Sequence, residues 1–181
     1  GSNIGGLIGY NTVDNTDPDN IKTGSLTAGY NTGTIKAENS SNVGGIVGNN
    51  AGTVDQVFNT VMTGVDDKGN TVYGTITGKD NVGGLVGTNS GTLSNAYNTT
   101  AVKAENGVAG NAVGVNVEVN GVKGQVSNVY DVTKNDNKLI GKNSGNVTGS
   151  YSGNKADKNT TGITYVAEGD RLKENTYQSS L

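Results

Sequence analysis

The chain of 181 residues has no cysteine, no histidine and no tryptophan, and a single proline. Without cysteine there are no disulfides, no thiolate nucleophile and no thiolate metal site. Positive charge is also sparse. Thirteen Lys and Arg stand against sixteen Asp and Glu, for a net charge of −3 and a pI near 4.8. Arg171 is the only arginine and the lysines are scattered, so no cluster exists to neutralise a phosphate backbone, and nucleic acid is not an expected partner. No apolar run is long enough to cross a bilayer as a helix and no signal peptide is visible, so membrane insertion is not expected. The opening Gly1-Ser2 reads as a cloning remnant, and the chain as one piece of a longer repeat array whose export information lies elsewhere.

Leu, Ile, Val and Phe together make up about a fifth of the residues, near the level at which a chain fails to form a core. Disorder at that level goes with high net charge, which is absent here. Composition therefore leaves the matter to pattern.

The pattern is an internal repeat. "NIGGLIGYN" from Asn3, "NVGGIVGNN" from Asn42 and "NVGGLVGTN" from Asn81 are nearly the same, and a shortened "KLIGKN" begins at Lys138. A second block, Gly-x-aliphatic-x-x-x-aromatic-Asn, recurs from Gly24 to Asn31, Gly52 to Asn59, Gly91 to Asn98 and Gly124 to Asp131, with a weaker form from Gly145 to Tyr151. Unit starts fall near residues 3, 42, 81, 111 and 138. Superposed, the blocks form columns. Leu26, Val54, Leu93, Val126 and Val147 share one, and Tyr30, Phe58, Tyr97, Tyr130 and Tyr151 another. Asn11, Asn50, Asn89 and Asn143 share a third, each two residues after a glycine.

The apolar positions are mostly Val, Ile or Leu in short runs bounded by Gly, Asn, Ser and Thr, which reads as short strands separated by turns. None carries the 3.6-residue period of an amphipathic helix. A unit with two or three short strands cannot bury its own apolar side, but stacked copies can, at about 4.8 Å per layer, turning each column into a ladder. The expected fold is all-β: a single parallel β-helix, or β-solenoid, of five to seven coils over 1–181. Residues 162–181 are expected to form a connector or cap, with one helical turn in Glu168 to Asn175. Thr12 to Asn20, Val65 to Asn70 and Glu105 to Gly124 break the period and are expected as loops at coil corners; the last separates the third unit from the fourth.

"VGGLVGTNSGTLSNAYNTT" (Val82 to Thr100) closely resembles the GLUG motif, and "VGGIVGNNAGTVDQVFNT" (Val43 to Thr60) is a second good match. The resemblance covers most of the chain and is weakest at 107–123 and 154–170. It implies a right-handed parallel β-helix and a repeat region of a large bacterial exoprotein, similar to filamentous haemagglutinin and exported by two-partner secretion through an outer-membrane transporter. It further implies a secreted or cell-surface location and a role as scaffold or attachment surface. The expected partner is a host or bacterial surface glycan or protein. Two alternatives stand beside it: a carbohydrate-active β-helix enzyme, and a passive spacer for a binding domain elsewhere in the parent chain.

Candidate chemistry is thin, and no catalytic, cofactor-binding or metal residue is expected. A β-helix glycosidase or lyase needs paired carboxylates, or a base with cationic support, in a groove. The adjacent Asp66 and Asp67 sit in a turn-like "DDKGN" instead. Asp14, Asp17 and Asp19 offer oxygen ligands in the inserted loop at 12–20, but they lack the glycine and closing glutamate of a calcium loop. The asparagine column is expected as a structural ladder rather than a row of sugar contacts. Sequons at Asn39, Asn98, Asn146 and Asn159 are no more than the Ser and Thr content supplies by chance. Ser25, Thr53 and Thr92 share an outward column that continues with Gln125 and Asn146, with no paired threonine column to make an ice-binding face.

Overall fold

A computed structural model describes residues 1–131 and 137–168. The described residues are all-β, with three parallel sheets, three antiparallel hairpins and one 3-10 turn, Lys155–Asp157. The tail from 169 onward, including Arg171 and most of the segment expected to hold a helical turn, lies outside the described residues.

Among the described residues, each of the first four repeats contributes to all three sheets in turn. Sheet 1 holds Ser2–Gly5, Ile35–Gly44, Thr75–Gly83 and Ala101–Ala104, with Ala109–Gly110 also on Thr75–Gly83. Sheet 2 holds Ile8–Asn11, Val47–Asn50, Val86–Asn89, Val113–Asn116 and Ile140–Asn143. Sheet 3 runs Ser25–Asn31, Thr53–Asn59, Thr92–Asn98, Gln125–Asp131, then Asn146–Thr148 with Ser150–Ser152, and last Ile163–Tyr165. All pairing in these sheets is parallel, and the register is kept throughout sheets 2 and 3, while in sheet 1 it shifts once, between Gly78 and Asp80 against Ala37 and Ser41. Leu26, Val54, Leu93, Val126 and Val147 are successive partners, as are Tyr30, Phe58, Tyr97, Tyr130 and Tyr151.

Burial follows strand alternation: Val and Leu of one pleat face go in and most hydroxyl and charged side chains go out, while most of the asparagines that end the strands of sheets 2 and 3 are buried. Two apolar clusters result. One lies between sheets 2 and 3, built on Ile46, Val47, Val54, Leu85, Val86, Leu93, Val113 and Val126. The other lines sheet 1 with Val43, Ile76, Val82 and Val102 around Val61. At roughly 1.5–3 kcal/mol per fully buried aliphatic side chain, these ladders are the main favourable term in folding.

The strands of sheet 3 bend at one position each. Ala28, Gln56, Asn95, Asn128 and Gly149 all have left-handed backbone, with φ between 51° and 61°. Asn3, Asn42 and Asn81 do the same in sheet 1. Glycine is required where layers touch: a Cβ on Gly45 would overlap the Gly84 carbonyl oxygen and the Asn59 amide.

One expectation is corrected. Glu105 to Gly124 does not simply separate two units. Ala109–Gly110 pairs with Val82 and Gly83, and Val113–Asn116 pairs in register with Val86–Asn89. This stretch is therefore the glycine-rich start of the fourth unit, and "KLIGKN" is that of the fifth. The step from Asn50 to Asn89 is 39 residues, whereas from Asn89 to Asn116 and from Asn116 to Asn143 it is 27. Only the short hairpin Glu118–Val119 with Val122–Lys123 is inserted. The other two insertions are hairpins as well: Val13–Asp14 with Lys22–Thr23, and Met62–Val65 with Thr71–Tyr73.

Candidate binding surfaces

The asparagine column is a continuous hydrogen-bonded chain in the interior. Asn11 Nδ2 donates to Asn50 Oδ1 at 2.9 Å, Asn50 to Asn89 at 2.8 Å, Asn89 to Asn116 at 2.9 Å and Asn116 to Asn143 at 2.9 Å. Asn116 belongs to it although the column read from sequence lacks it; it too follows a glycine by two residues. A parallel chain closes the far end of sheet 3, from Asn31 to Asn59 to Asn98 and on to the buried Asp131 carboxylate, at 2.7–2.8 Å. The interior amides of both chains are spent on each other and on backbone carbonyls, such as Asn50 Nδ2 on the Thr92 oxygen. They are structural, not a surface for sugar.

On the left-handed residues the direction reverses. Asn81 donates to Asn42 and Asn42 to Asn3, at 3.1 and 3.0 Å; Asn128 donates to Asn95 and Asn95 to Asp55, both at 2.7 Å. Buried and corner amide chains thus run in opposite senses along the stack.

Two open grooves flank these ladders. The first, of about 300 Å³, lies beside the stacked rings of Tyr30, Phe58 and Tyr97 and is floored by Ala28, Gln56 and Asn95. The rings are face to face, with centroids 5.1 and 5.0 Å apart, so the groove meets mainly their edges. The second, of about 580 Å³, is a trench on the corner between sheets 2 and 3. Val13 and Thr23 of one hairpin wall it on one side, and Val122 and Lys123 of another on the other. Between them Ala51, Gly52, Ser90 and Gly91 form a low floor edged by Thr53, Thr92, Gln125 and Asn146, the outward column of the sequence.

The candidate acids are held locally. Asp14 Oδ1 accepts from the Thr16 amide at 3.1 Å and hydroxyl at 2.8 Å, and Asp17 accepts from the Asp19 amide at 3.0 Å. The Thr16 amide, then its hydroxyl, holds the Asp14 carboxyl below its ordinary range. Asp66 accepts from the Asn70 and Lys68 amides at 2.8 and 2.9 Å, and the Asn70 amide does most to lower it. These are Asx-type turns that close the hairpins. No group of three His, Cys, Asp or Glu among the described residues is arranged to hold a metal ion. Of the four sequons, Asn98 is buried in its ladder, and Asn39, Asn146 and Asn159 are exposed.

No protein-family model, curated protein or solved structure matches the chain. The surfaces must therefore be read on their own chemistry. The outward column Ser25, Thr53, Thr92, Gln125 and Asn146 has a neighbour that sequence reading missed: Thr27, Asp55, Ser94, Ser127 and Thr148 are in register two residues on. Asp55 interrupts it by accepting from Ser94 Oγ at 2.9 Å. The two rows make a neutral-to-acidic hydrogen-bonding face rather than a uniform threonine array.

Proposed function

We propose that the three parallel sheets are the faces of one right-handed β-solenoid, and that the chain is a structural and adhesive repeat region of a large secreted or cell-surface bacterial protein of the GLUG type. The observation that carries this reading is the ladder from Asn11 to Asn143: five successive units return one side chain to one place, as a winding chain requires. Such a ladder makes a stiff body whose interior is closed to ligands. Recognition then falls to what projects, which here means the three hairpins and the trench between two of them. The expected partner is a glycan or protein on a host or bacterial surface, and export of the parent through an outer-membrane transporter belongs to the same reading.

The test is attachment. Beads coated with the chain are expected to be retained on host-cell or bacterial monolayers, and beads coated with a variant whose three hairpins are trimmed to bare corners are expected to wash off. Equal retention of both would leave the chain a spacer. No retention of either would remove the adhesive half of the proposal, and a crystal structure with a left-handed or unwound path would remove the solenoid.

A further inference from the structure

The trench on the corner between sheets 2 and 3 discriminates among ligands by its shape and lining. Its walls are hairpins of the first and fourth units, Val13–Asp14 with Lys22–Thr23 and Glu118–Val119 with Val122–Lys123. The second and third units turn the same corner with two small residues each, Ala51-Gly52 and Ser90-Gly91. The two walls stand three layers apart, roughly 14 Å at about 4.8 Å per layer, and their own side chains narrow that space. An α-helix, about 10–12 Å across with its side chains, does not fit between them. One extended chain does.

The floor separates two kinds of extended chain. A peptide strand is held by main-chain hydrogen bonds to unpaired backbone groups. Here the backbone amides are spent between layers. Ala51 donates to the Asn11 carbonyl at 2.7 Å, Ser90 and Gly91 to that of Asn50 at 2.8 and 3.0 Å, and Thr53 and Thr92 to those of Gly24 and Gly52 at 2.8 and 2.9 Å. What the trench keeps unspent is side-chain chemistry. The hydroxyls of Thr23, Thr53 and Thr92 and the carboxamide of Asn146 make no hydrogen bond among the described residues. Gln125 uses only Nε2, on the Lys123 carbonyl at 3.1 Å. These groups both donate and accept. Beside them stand the aliphatic patches of Val13, Ala51 and Val122. Hydroxyls beside C–H faces are what a sugar ring presents, and this lining matches both. Charge narrows the class further. Lys123 is the only charged residue lining the trench among the described residues, and Glu118 is its in-register neighbour across the hairpin. A polymer of phosphates or sulfates needs a cluster of cations.

We infer that the trench binds a single chain of a neutral polysaccharide, held by the hydroxyls of Thr53 and Thr92 and the carboxamides of Gln125 and Asn146, with Val13 and Val122 against its rings. The inference rests on the adhesive reading for its purpose, and adds to it the class of ligand, the place and the side chains that hold it. A volume of about 580 Å³ lies within the ordinary range of ligand sites.

The test is a titration of the full chain, nitrogen-labelled for magnetic resonance, with neutral hexasaccharides of glucose, mannose, galactose and N-acetylglucosamine. A hyaluronate hexasaccharide, a heparin hexasaccharide and an extended peptide of serine and valine are the other arms. At least one neutral hexasaccharide is expected to shift the amides of Ala51, Gly52, Ser90 and Gly91 saturably. Thr53→Val with Thr92→Val keeps both branched shapes, removes two hydrogen bonds and is expected to weaken that binding by about tenfold. The exposed Gln125→Ala is expected to weaken it by about threefold. Thr77→Val, in register with the outward Lys36 and Lys103 of sheet 1, is expected to leave it unchanged. No saturable shift with any neutral hexasaccharide overturns the inference, as does tighter binding of the peptide or of either acidic sugar. Full affinity in both trench variants overturns it as well. Retention of coated beads on cell monolayers without any bound neutral sugar would remove this inference and keep the adhesive reading; a bound sugar without retention would keep the trench and remove adhesion.

Discussion

Phe58 and Tyr97 are in-register partners on neighbouring strands, and their rings stack with centroids 5.0 Å apart and planes 1° from parallel. Phe58 also stacks on Tyr30, so it is the middle ring of three. Phe58→Ala removes both contacts and is expected to lower stability by about 2–3 kcal/mol, less than for a fully enclosed phenylalanine because the ring is half-exposed. Tyr30→Ala, at the exposed end, is expected to cost less than about 1 kcal/mol. Urea unfolding followed by far-UV dichroism checks the order; equal losses would contradict it.

That stack was legible in the sequence, and the reason is physical. A parallel ladder places like on like, so the selection on each position is the same in every unit and the columns of Leu26 and Tyr30 appear as spelled repeats. Legibility failed where the same geometry accepts different chemistry. The bend of sheet 3 is occupied by Ala28, Gln56, Asn95, Asn128 and Gly149, which share a backbone angle and nothing else. The fourth unit shows its start near residue 111 but hides its strand Val113–Asn116, because the step shrinks to 27 residues and Asn111 replaces the second glycine. Both amide atoms of Asn111 are buried without a hydrogen-bond partner among the described residues. The Gly-x-Asn signal at Gly114 and Asn116 survived that change and would have found it. The trench was out of reach of sequence because its walls, Val13 and Val122, are brought together only by stacking.

The Asn ladder predicts a gradient from middle to end. Asn89 is fully buried, donates to Asn116 and to the Gly91 and Gln125 carbonyls, and accepts from Asn50. Asn89→Ala strands those groups in an apolar interior and is expected to cost about 3 kcal/mol. Asn143 is exposed at the last rung and accepts from Asn116 and the Gly145 amide. Asn143→Ala is expected to cost about 1 kcal/mol, since water replaces its partner. Chemical denaturation of the two variants separates a ladder from a row of independent turns, for which the two losses would match.

The left-handed bend can be tested at its least suited residue. Ala28 has φ 61° without a side chain that bonds locally, and it is exposed. Ala28→Gly removes a steric cost of about 1–2 kcal/mol and gives back part of it as unfolded-chain entropy, for a net gain of roughly 0.5 kcal/mol. Ala28→Val, β-branched at positive φ, is expected to lose at least about 1 kcal/mol. A thermal midpoint that rises for glycine and falls for valine fits the bend. A fall for both would mean that the left-handed backbone is not what limits this position.

The hairpin Met62–Tyr73 carries its own acid sensitivity through Asp66. Its carboxylate accepts the Lys68 and Asn70 amides, and the Asn70 amide above all holds its pKa below the ordinary 3.8. A carboxyl lowered in the folded form stabilises that form above its unfolded pKa, and the contribution disappears as pH falls through the folded value. Turn order is therefore expected to be complete at neutral pH and to be lost only below about pH 3.8, while the stacked sheets, whose ladders are mostly neutral amides, remain. The amide proton of Gly69, which donates to the Asp66 carbonyl at 3.0 Å, is the probe. Its chemical shift should move with a midpoint under the ordinary carboxyl value, and Asp66→Asn should abolish that titration without shifting the amides of Val86–Asn89. A midpoint above the ordinary value would mean that the Asp66 turn is not formed in solution.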